Sequence, residues 1–472
     1  MEEPWPIPPT VPMTATAGTS DPAFLELLND ARLLSLATLP TSAAAVGLTE
    51  TLAAIVRAWE VKAAPKNRAA SGMAKLEAAV GTVVGSLLAN WSGAALSYRS
   101  GSKAAFDVGA ATTYEQLRPV IAGLVALGFI GRHAGVRYGT DLGDSQTYYR
   151  GKAARYWPLP PLLTLAVSHG LSPATLAKDV VVVPSKVPPK VTAPVMVREL
   201  RDRAKARRGR ERGAPLHASR LGGALEAVRK DVESANAYAG TQSVSGCLPP
   251  RWYRVFGPDV MLGGRWIAGG VEGTYQSMKA RDRAAIRIDG ESVAEVDVAA
   301  SHLTLMLGLL GLPLPEGDPY ELPAIPRAAV KAWVTQTLGK GSAVTRPWSA
   351  PALKRLPELA RYAPREVGAA VIARFAFLRA PGTAVVLAAG LDRLALHGTP
   401  ARLLTNRLMA LEANALTLAM GRLRAADTFA MPLHDALLVR RSAVPTAQRE
   451  LAAAFLSVAG IIPRMVVSEP AG

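Results

Sequence analysis

The sequence predicts an α+β protein, with a mostly α-helical N-terminal half and a C-terminal half in which strands and helices alternate. Three observations predict it. The chain has 472 residues, more than one ordinary core organises, so two or three domains are expected. Apolar residues recur every three or four positions between Pro22 and about Tyr98, in LELLNDARLLSLATL, ETLAAIVRAWEVKAA and MAKLEAAVGTVVGSLLANW. From Arg251 onward, short valine- and leucine-rich segments bounded by turn residues alternate with helical ones.

Composition narrows the partners. Hydrophobic residues make up 49% of the chain, and the formal charge is +17, from 54 Lys and Arg against 37 Asp and Glu. A sequence pI near 10.1 makes a polyanion the first expected partner, with nucleic acid ahead of membrane. No uninterrupted apolar run reaches the roughly 18 residues of a spanning helix. The longest candidate, Leu303–Leu314, holds a glycine pair and a proline. The acidic, proline-rich start MEEPWPIPPT does not read as a signal peptide. A single cysteine, Cys247, excludes an intramolecular disulfide and a cysteine-based zinc site. A soluble cytoplasmic protein is expected.

Residues 1–20, rich in Pro and Thr, are expected to be a disordered tail. Residues 21–150 are expected to form a helical accessory domain. Within it, Thr112–Gly139 reads as a helix to Leu127 stopped by Gly128, then an extended piece from Phe129 and a hairpin tip at His133–Val136. Helix plus hairpin fits a winged helix-turn-helix, which lays a helix in a major groove and a wing on phosphates. It fits an ordinary helix and hairpin equally. Residues 151–195 are punctuated by proline and read as a linker region, most clearly in VVVVPSKVPPKVTAP, Val180–Pro194.

Residues 196–250 read as a basic helical segment. VRELRDRAKARRGRER places eight basic side chains between Arg198 and Arg212, Arg207 and Arg208 among them. They line a solvated face, or they contact phosphates and displace about one counterion each. The overall charge favours phosphate. Residues 251–472 read as one α+β domain.

In that domain IRIDGESVAEV reads as a hairpin around Asp289-Gly290, a strong turn pair, so Asp289 is a turn former. Val293, Val296 and Val298 then suit a strand, and Ala299 onward suits a helix with Leu303, Leu307 and Leu310 on one side. Asp297 therefore falls at a strand end, where side chains face clefts. Further on, FAMPLHDALLVRR sets His434-Asp435 between two apolar segments, Met431–Leu433 and Leu437–Val439. A carboxylate there costs free energy unless it is hydrogen-bonded or holds a metal. A tight hairpin with Asp435 at its tip is expected.

Two aspartates of one sheet can converge on divalent ions. Mg²⁺ takes one or two protein carboxylates beside waters and substrate phosphates. Two such ions about 3.5–4 Å apart clamp the attacking and leaving oxygens of a phosphoryl transfer. Between the aspartates, Pro326 opens a helix on which Arg327 and Lys331 share a face. That face suits an incoming triphosphate, or it is an ordinary basic surface. Thr405–Leu423 reads as a core helix through Leu408, Leu411, Ala415, Leu418 and Met420, with Asn406, Arg407 and Glu412 polar among them. Glu412 either makes a structural hydrogen bond or lines the site. His133, His169, His217 and His397 show no metal-ligand spacing.

In their order along the chain, these segments resemble the core of family A DNA polymerases and the related single-subunit phage-type RNA polymerases. The resemblance is nearest to the small divergent members carried by phages and mobile elements. Asp297-Val298-Ala299-Ala300-Ser301-His302 is similar to the family's DYSxxHxR-like motif, a strand then a helix that begins with the first metal aspartate. Arg327 and Lys331 match its triphosphate-binding helix, and His434-Asp435 match the hairpin with the second metal aspartate. MLGGRWIAGG, Met261–Gly270, resembles the Gly-Arg element that touches the primer–template duplex, and Asp318-Pro319-Tyr320 fits a string that recurs in the small members. The resemblance covers about Arg251–Val467, under half the chain.

What it implies can be stated residue by residue. The C-terminal half becomes a right-hand polymerase palm and fingers, with residues 196–250 thumb-like. Asp297 and Asp435 are the catalytic and metal residues. Arg327, Lys331 and His302 meet the nucleotide. Gly264, Arg265, His434, Arg407 and Glu412 meet primer or template, joined by the basic segment at Arg207 and Arg208. The implied cofactor is Mg²⁺, with Mn²⁺ as a substitute. The implied partners are a DNA primer–template and nucleoside triphosphates, with RNA as an alternative and no membrane.

This sequence also departs from the family. Ala436 stands where a glutamate often follows His-Asp, and His302 stands where DNA polymerases usually carry the Glu that takes part in sugar selection. Thr335 and Gly339 replace a base-stacking aromatic and a tyrosine. Both deoxyribonucleotides and ribonucleotides therefore stay open. The first 250 residues hold no evident set of spaced acidic ligands for an exonuclease, so no proofreading is expected. The expected function is template-dependent addition of nucleotides to a primer 3′ end. The alternatives are a primase or RNA polymerase on the same core, and a non-catalytic DNA-binding replication initiator or regulator.

Overall fold

A computed structural model describes residues 5–6, 27–28, 30–63, 70–101, 106, 112–141, 147–183, 191, 193–200, 215–217, 221–270 and 273–469. The chain mixes helix and sheet, as an α+β protein does. It divides into two compact units: Met1–Tyr138, Tyr149–Val187 and Gly270–Gly273 in the first, and Gly139–Tyr148, Pro188–Gly269 and Thr274–Gly472 in the second. Arg207 and Arg208 lie outside the described residues, as does nearly all of the expected tail.

In the first unit, helices Ala43–Ala63 and Ala70–Trp91 bury Leu48, Leu52, Val56, Val80, Val83 and Leu87 in a common core. Among the described residues one helix, Ser71–Trp91, is long and apolar enough to cross a membrane by length and composition, against the expectation of no spanning run; 61% of its most apolar stretch is buried inside the fold. Lys75 and Glu77 interrupt its apolar run without lowering the average much. A four-stranded sheet runs in the order Arg32–Leu33, Ser97–Arg99, Ala154–Pro158, Ile130–His133. The helix Tyr114–Ala126 precedes its last hairpin and opens with a capping box, in which the Gln116 side chain accepts the Thr113 amide at 2.8 Å.

Two expectations fail here. Ile130–His133 does not turn back at His133–Val136. It pairs antiparallel with Ala154–Pro158, and Val136–Asp141 pairs with Thr147–Lys152, so the arm is longer than expected. The local turn signal loses to burial of Trp157, whose indole lies against Gly131 where a Cβ would meet it at 2.2 Å. The proline-rich stretch is also not linker up to Val183. It forms Ala154–Pro158, the helices Pro160–Ser168 and Leu176–Asp179, and Val180–Val182, which pairs with Thr38–Pro40. Its prolines open the first of those helices, where a missing N–H costs nothing.

The second unit carries two sheets. One runs Pro215–Leu216, Val195–Arg198, Trp252–Phe256, Gly263–Ala268. The other runs Val244–Ser245, Arg287–Ile288, Glu291–Val298, Ala436–Arg440, Ala430–Leu433, with Met465–Ser468 also paired to Glu291–Val298. Glu291–Val298 is thus central, flanked by Ala436–Arg440 on one side and by Met465–Ser468 on the other. Asp289 (φ 51°) and Gly290 (φ 80°) make the expected tight turn into it. Val296, Leu437 and Leu438 are fully buried, each worth about 1.5–3 kcal/mol of apolar burial.

The hairpin strand Ala430–Leu433 lies at the sheet edge, the one place a strand proline fits. The Pro432 carbonyl still needs partners. Tyr275 Oη donates to it at 2.6 Å and Gln276 Nε2 at 2.8 Å, while Trp252 Nε1 donates to Tyr275 Oη at 2.8 Å. This buried chain fixes the hairpin to the neighbouring sheet. The helix Pro400–Ala425 packs against Gly263–Ala268 and Ser301–Leu309. The helix Arg327–Lys340 ends at Gly341 (φ 76°), whose amide donates to Thr337 O at 2.8 Å, so its glycine-containing end is capped rather than loosened.

Candidate active site

Asp297 lies in the last turn of side chains on the central strand, and its register partner on the next strand is Ala436. Asp435 directly precedes Ala436, in the two-residue turn that joins Leu433 to Ala436. Two aspartates 138 positions apart in the chain therefore reach one end of one sheet. Both line a cavity of 480 Å³. Two left-handed non-glycine residues flank it. His434 (φ 58°) turns the hairpin, and Ala300 (φ 52°) turns the central strand into the helix Ser301–Leu309. Such backbone is costly for non-glycine residues and concentrates at functional sites.

The carboxylates are not at ease. Burial, and then the facing Asp435, push the Asp297 carboxyl up to about 6. Burial, and then Glu412, raise Asp435 above the usual carboxylate range.

Beneath them sits a polar clasp. Arg265 donates to Glu412 Oε2 through Nε at 3.0 Å and Nη2 at 2.7 Å. Ser301 Oγ donates to Glu412 Oε1 at 2.9 Å, and His302 Nε2 lies 3.5 Å from the same oxygen. Glu412 is 1% exposed, and its burial raises its carboxyl in spite of Arg265 and Ser301. Burial, and then the Arg265 cation, push His302 down to about 4, so its imidazole is neutral at pH 7.

The lining is also cationic. Arg327 and Lys331, one turn apart on the helix Arg327–Lys340, line the same cavity together with Tyr320, Thr335 and Gly339. Arg265, His302 and Glu412 line it as well. Of the residues singled out in the sequence, the fold thus brings together Asp297, Asp435, Arg327, Lys331, His302, Arg265 and Glu412.

Others stand apart from that lining. His434 is exposed on the turn. Gly264 (φ 78°) is set by packing, because a Cβ there would meet the Phe256 ring at 2.3 Å. Its carbonyl accepts from Arg254, a fully buried arginine whose guanidinium also donates to Thr417 Oγ1 and Asn414 Oδ1. Arg407 is half-buried, and burial lowers its guanidinium despite the charge of Asp259.

No protein-family profile and no curated protein matches the chain. Among solved structures it is similar to the POL domain of Pol1 from M. smegmatis, in complex with DNA primer-template and dNTP, at 15% identity and a TM-score of 0.32. The likeness covers 52% of this chain and 50% of that one, so the chain spans about half the length of that relative.

The donor set fits a hard divalent cation. Asp297 Oδ1 is buried and has no hydrogen-bond partner in the fold. A bare buried carboxylate oxygen is costly, and an oxygen-seeking ion beside a second carboxylate relieves that cost. Both oxygens of Glu412 are already engaged by Arg265 and Ser301. Among the described residues no cluster of three or more His, Cys, Asp or Glu side chains is arranged for a metal. The fit is therefore to ions held by two carboxylates, with water and substrate oxygens completing the shell.

Sequence reasoning passed over three contributors. Ser301 carries no site signal of its own in the sequence, since its tie to Glu412 spans 111 residues. Thr405 and Val466 line the cavity with no signal in the text. Val466 is there because it is the register partner of Asp297 on the far strand.

Proposed function

We propose that this chain is a template-directed nucleotidyltransferase that adds nucleotides to a primer 3′ end. One observation carries the reading: Asp297 and Asp435 share the end of one sheet inside a cavity that Arg327 and Lys331 also line. Two carboxylates and two cations around one cavity suit a polyanionic substrate brought to divalent ions. The motifs that resemble family A polymerases fall on these same elements.

Asp297 and Asp435 would hold two Mg²⁺, which when bound lower the pKa of the attacking 3′-hydroxyl and stabilise the leaving pyrophosphate. Arg327 and Lys331 bind the triphosphate and offset its charge. Arg265, oriented by Glu412, presents its remaining edge to the primer strand. Neutral His302 offers a hydrogen bond to the sugar without repelling the Arg265 cation. A glutamate at that position would be an anion beside Glu412, so the pocket differs from that of typical DNA polymerases at the sugar, and ribonucleotides stay a live second substrate.

The test is incorporation on a primed template and on an unprimed one, with dNTPs and with NTPs, in Mg²⁺ and in Mn²⁺. Extension of the primer supports the reading, and the nucleotide used separates polymerase from primase. Tight nucleic-acid binding with no incorporation under any condition leaves the regulator alternative.

A further inference from the structure

The connection between Leu309 and Arg327 holds three carboxylates that the proposed chemistry does not use, Glu316, Asp318 and Glu321, and of these Asp318 meets Arg327. Asp318 Oδ1 accepts the Tyr320 amide at 2.8 Å, and its Oδ2 accepts from Arg327 Nε. The Arg327 guanidinium lies over the Tyr320 ring, 5.6 Å from its centroid. The segment bearing Asp318 is itself tethered: Arg374 donates to Glu321 O at 2.6 Å and to Glu316 O at 3.4 Å, and Arg464 donates to Pro315 O at 3.5 Å. Burial alone would raise the Asp318 carboxyl, yet the Tyr320 amide and Arg327 together hold it below the usual range.

We propose that Asp318 is an internal counter-anion that occupies Arg327 between turnovers and yields it to the polyphosphate of an incoming nucleotide. This rests on the nucleotide-site reading above and adds a positioning residue to it. Arg327 is 56% exposed and Asp318 31%. An ion pair that exposed gains little stability, about 0.2–1 kcal/mol, so a purely structural purpose is a poor account of it. What the pair does is hold a cavity-lining guanidinium on a carboxylate fixed by three backbone tethers. A polyphosphate, with several negative charges and bidentate oxygens, is the stronger partner for arginine. The exchange costs every polyphosphate ligand the same small amount, which weakens binding uniformly. It also aids release of pyrophosphate, because Asp318 returns to the arginine as the product leaves.

The sign of the expected effect is unusual for a mutation at a substrate site. Asp318→Asn keeps the Oδ1 acceptor for Tyr320 and removes the competing charge. It should tighten binding of inorganic tripolyphosphate by about 1.4- to fivefold, the range an exposed pair allows, and lower the nucleotide KM in step. The experiment is calorimetric titration of the full chain with tripolyphosphate at fixed Mg²⁺, for wild type, Asp318→Asn, Arg327→Ala, Lys331→Ala and the Asp318→Asn/Arg327→Ala double variant. Asp318→Ser serves as a second variant, with melting curves to verify folding. The proposal expects tightening in Asp318→Asn and Asp318→Ser, weakening in Arg327→Ala, and no gain from Asp318→Asn once Arg327 is absent. Weakened or unchanged binding in the folded Asp318 variants, or a gain that persists without Arg327, overturns the counter-anion alone. Binding that is absent in wild type, or indifferent to Arg327→Ala and Lys331→Ala, overturns the nucleotide site and this proposal with it.

Discussion

Arg265 and Glu412, 147 residues apart in the chain, meet through Nη2 and Oε2 at 2.7 Å in the lining of the carboxylate cavity. Glu412 is nearly inaccessible, while the Arg265 side chain is 35% exposed. The glutamate is therefore the buried anchor, and the arginine is its outward-facing tool.

Glu412→Ala should be costly to stability. It leaves Arg265 and Ser301 facing a buried gap, and breaking a buried pair from one side costs about 3–5 kcal/mol. The partial exposure of Arg265 moves the expectation to the low end, about 3 kcal/mol by urea denaturation. Glu412→Gln keeps the Ser301 hydrogen bond and should lose less. A change below about 1 kcal/mol for Glu412→Ala would show that the clasp bears no strain.

Asp297→Asn should stabilise the metal-free protein. The folded carboxyl titrates at about 6 rather than at the ordinary 3.8. Between those values the folded chain binds more protons than the unfolded one, so stability falls as pH rises from about 4 to about 6. Asparagine removes that loss. Thermal melts with chelator present should put Asp297→Asn above wild type at pH 7 and level with it, or below, near pH 4. Mg²⁺ should raise the wild-type melting temperature and leave the variant nearly unmoved. A variant less stable than wild type at pH 7 contradicts the strain in this pair.

Lys331→Ala removes one cation of the proposed triphosphate site, and that cation eases the Asp297 charge. A charge-assisted hydrogen bond is worth about 1.5–3 kcal/mol, so nucleotide KM should rise roughly 10- to 100-fold. The acidic limb of the pH–rate profile should shift upward, because Asp297 loses a stabilising cation. Steady-state extension assays across pH 5.5–8 (a range set about the Asp297 value of about 6) read both effects. An unchanged KM places Lys331 outside the nucleotide path.

Local signals in the sequence located the strand–turn framework of the site. Asp289-Gly290 announces a turn by chemistry alone, and Val296 and Val298, two positions apart and both buried, put Asp297 between them on the other face of Glu291–Val298. His434-Asp435 between apolar segments marks a hairpin by the cost of burying a carboxylate. The clasp was not legible, because the partners of Glu412 lie 111 and 147 residues away and a lone buried glutamate names neither. The turn at His133–Val136 misled for a related reason. A hairpin tip is a local preference, whereas Ile130–His133 pairs with Ala154–Pro158, with buried Trp157 packed against Gly131. Proline in residues 151–183 likewise has two meanings, chain breaker or first-turn residue, and only packing decides between them.

The most direct measurement is primer extension by Asp297→Ala and Asp435→Ala, each checked for duplex binding and folding. On the proposed reading both substitutions should cut incorporation by about a thousandfold or more while binding persists, since each would remove a metal ligand on which several kcal/mol of transition-state stabilisation depend. Wild-type protein that incorporates nothing, or a variant of either aspartate that extends primers as wild type does, contradicts the assignment of this cavity to nucleotidyl transfer.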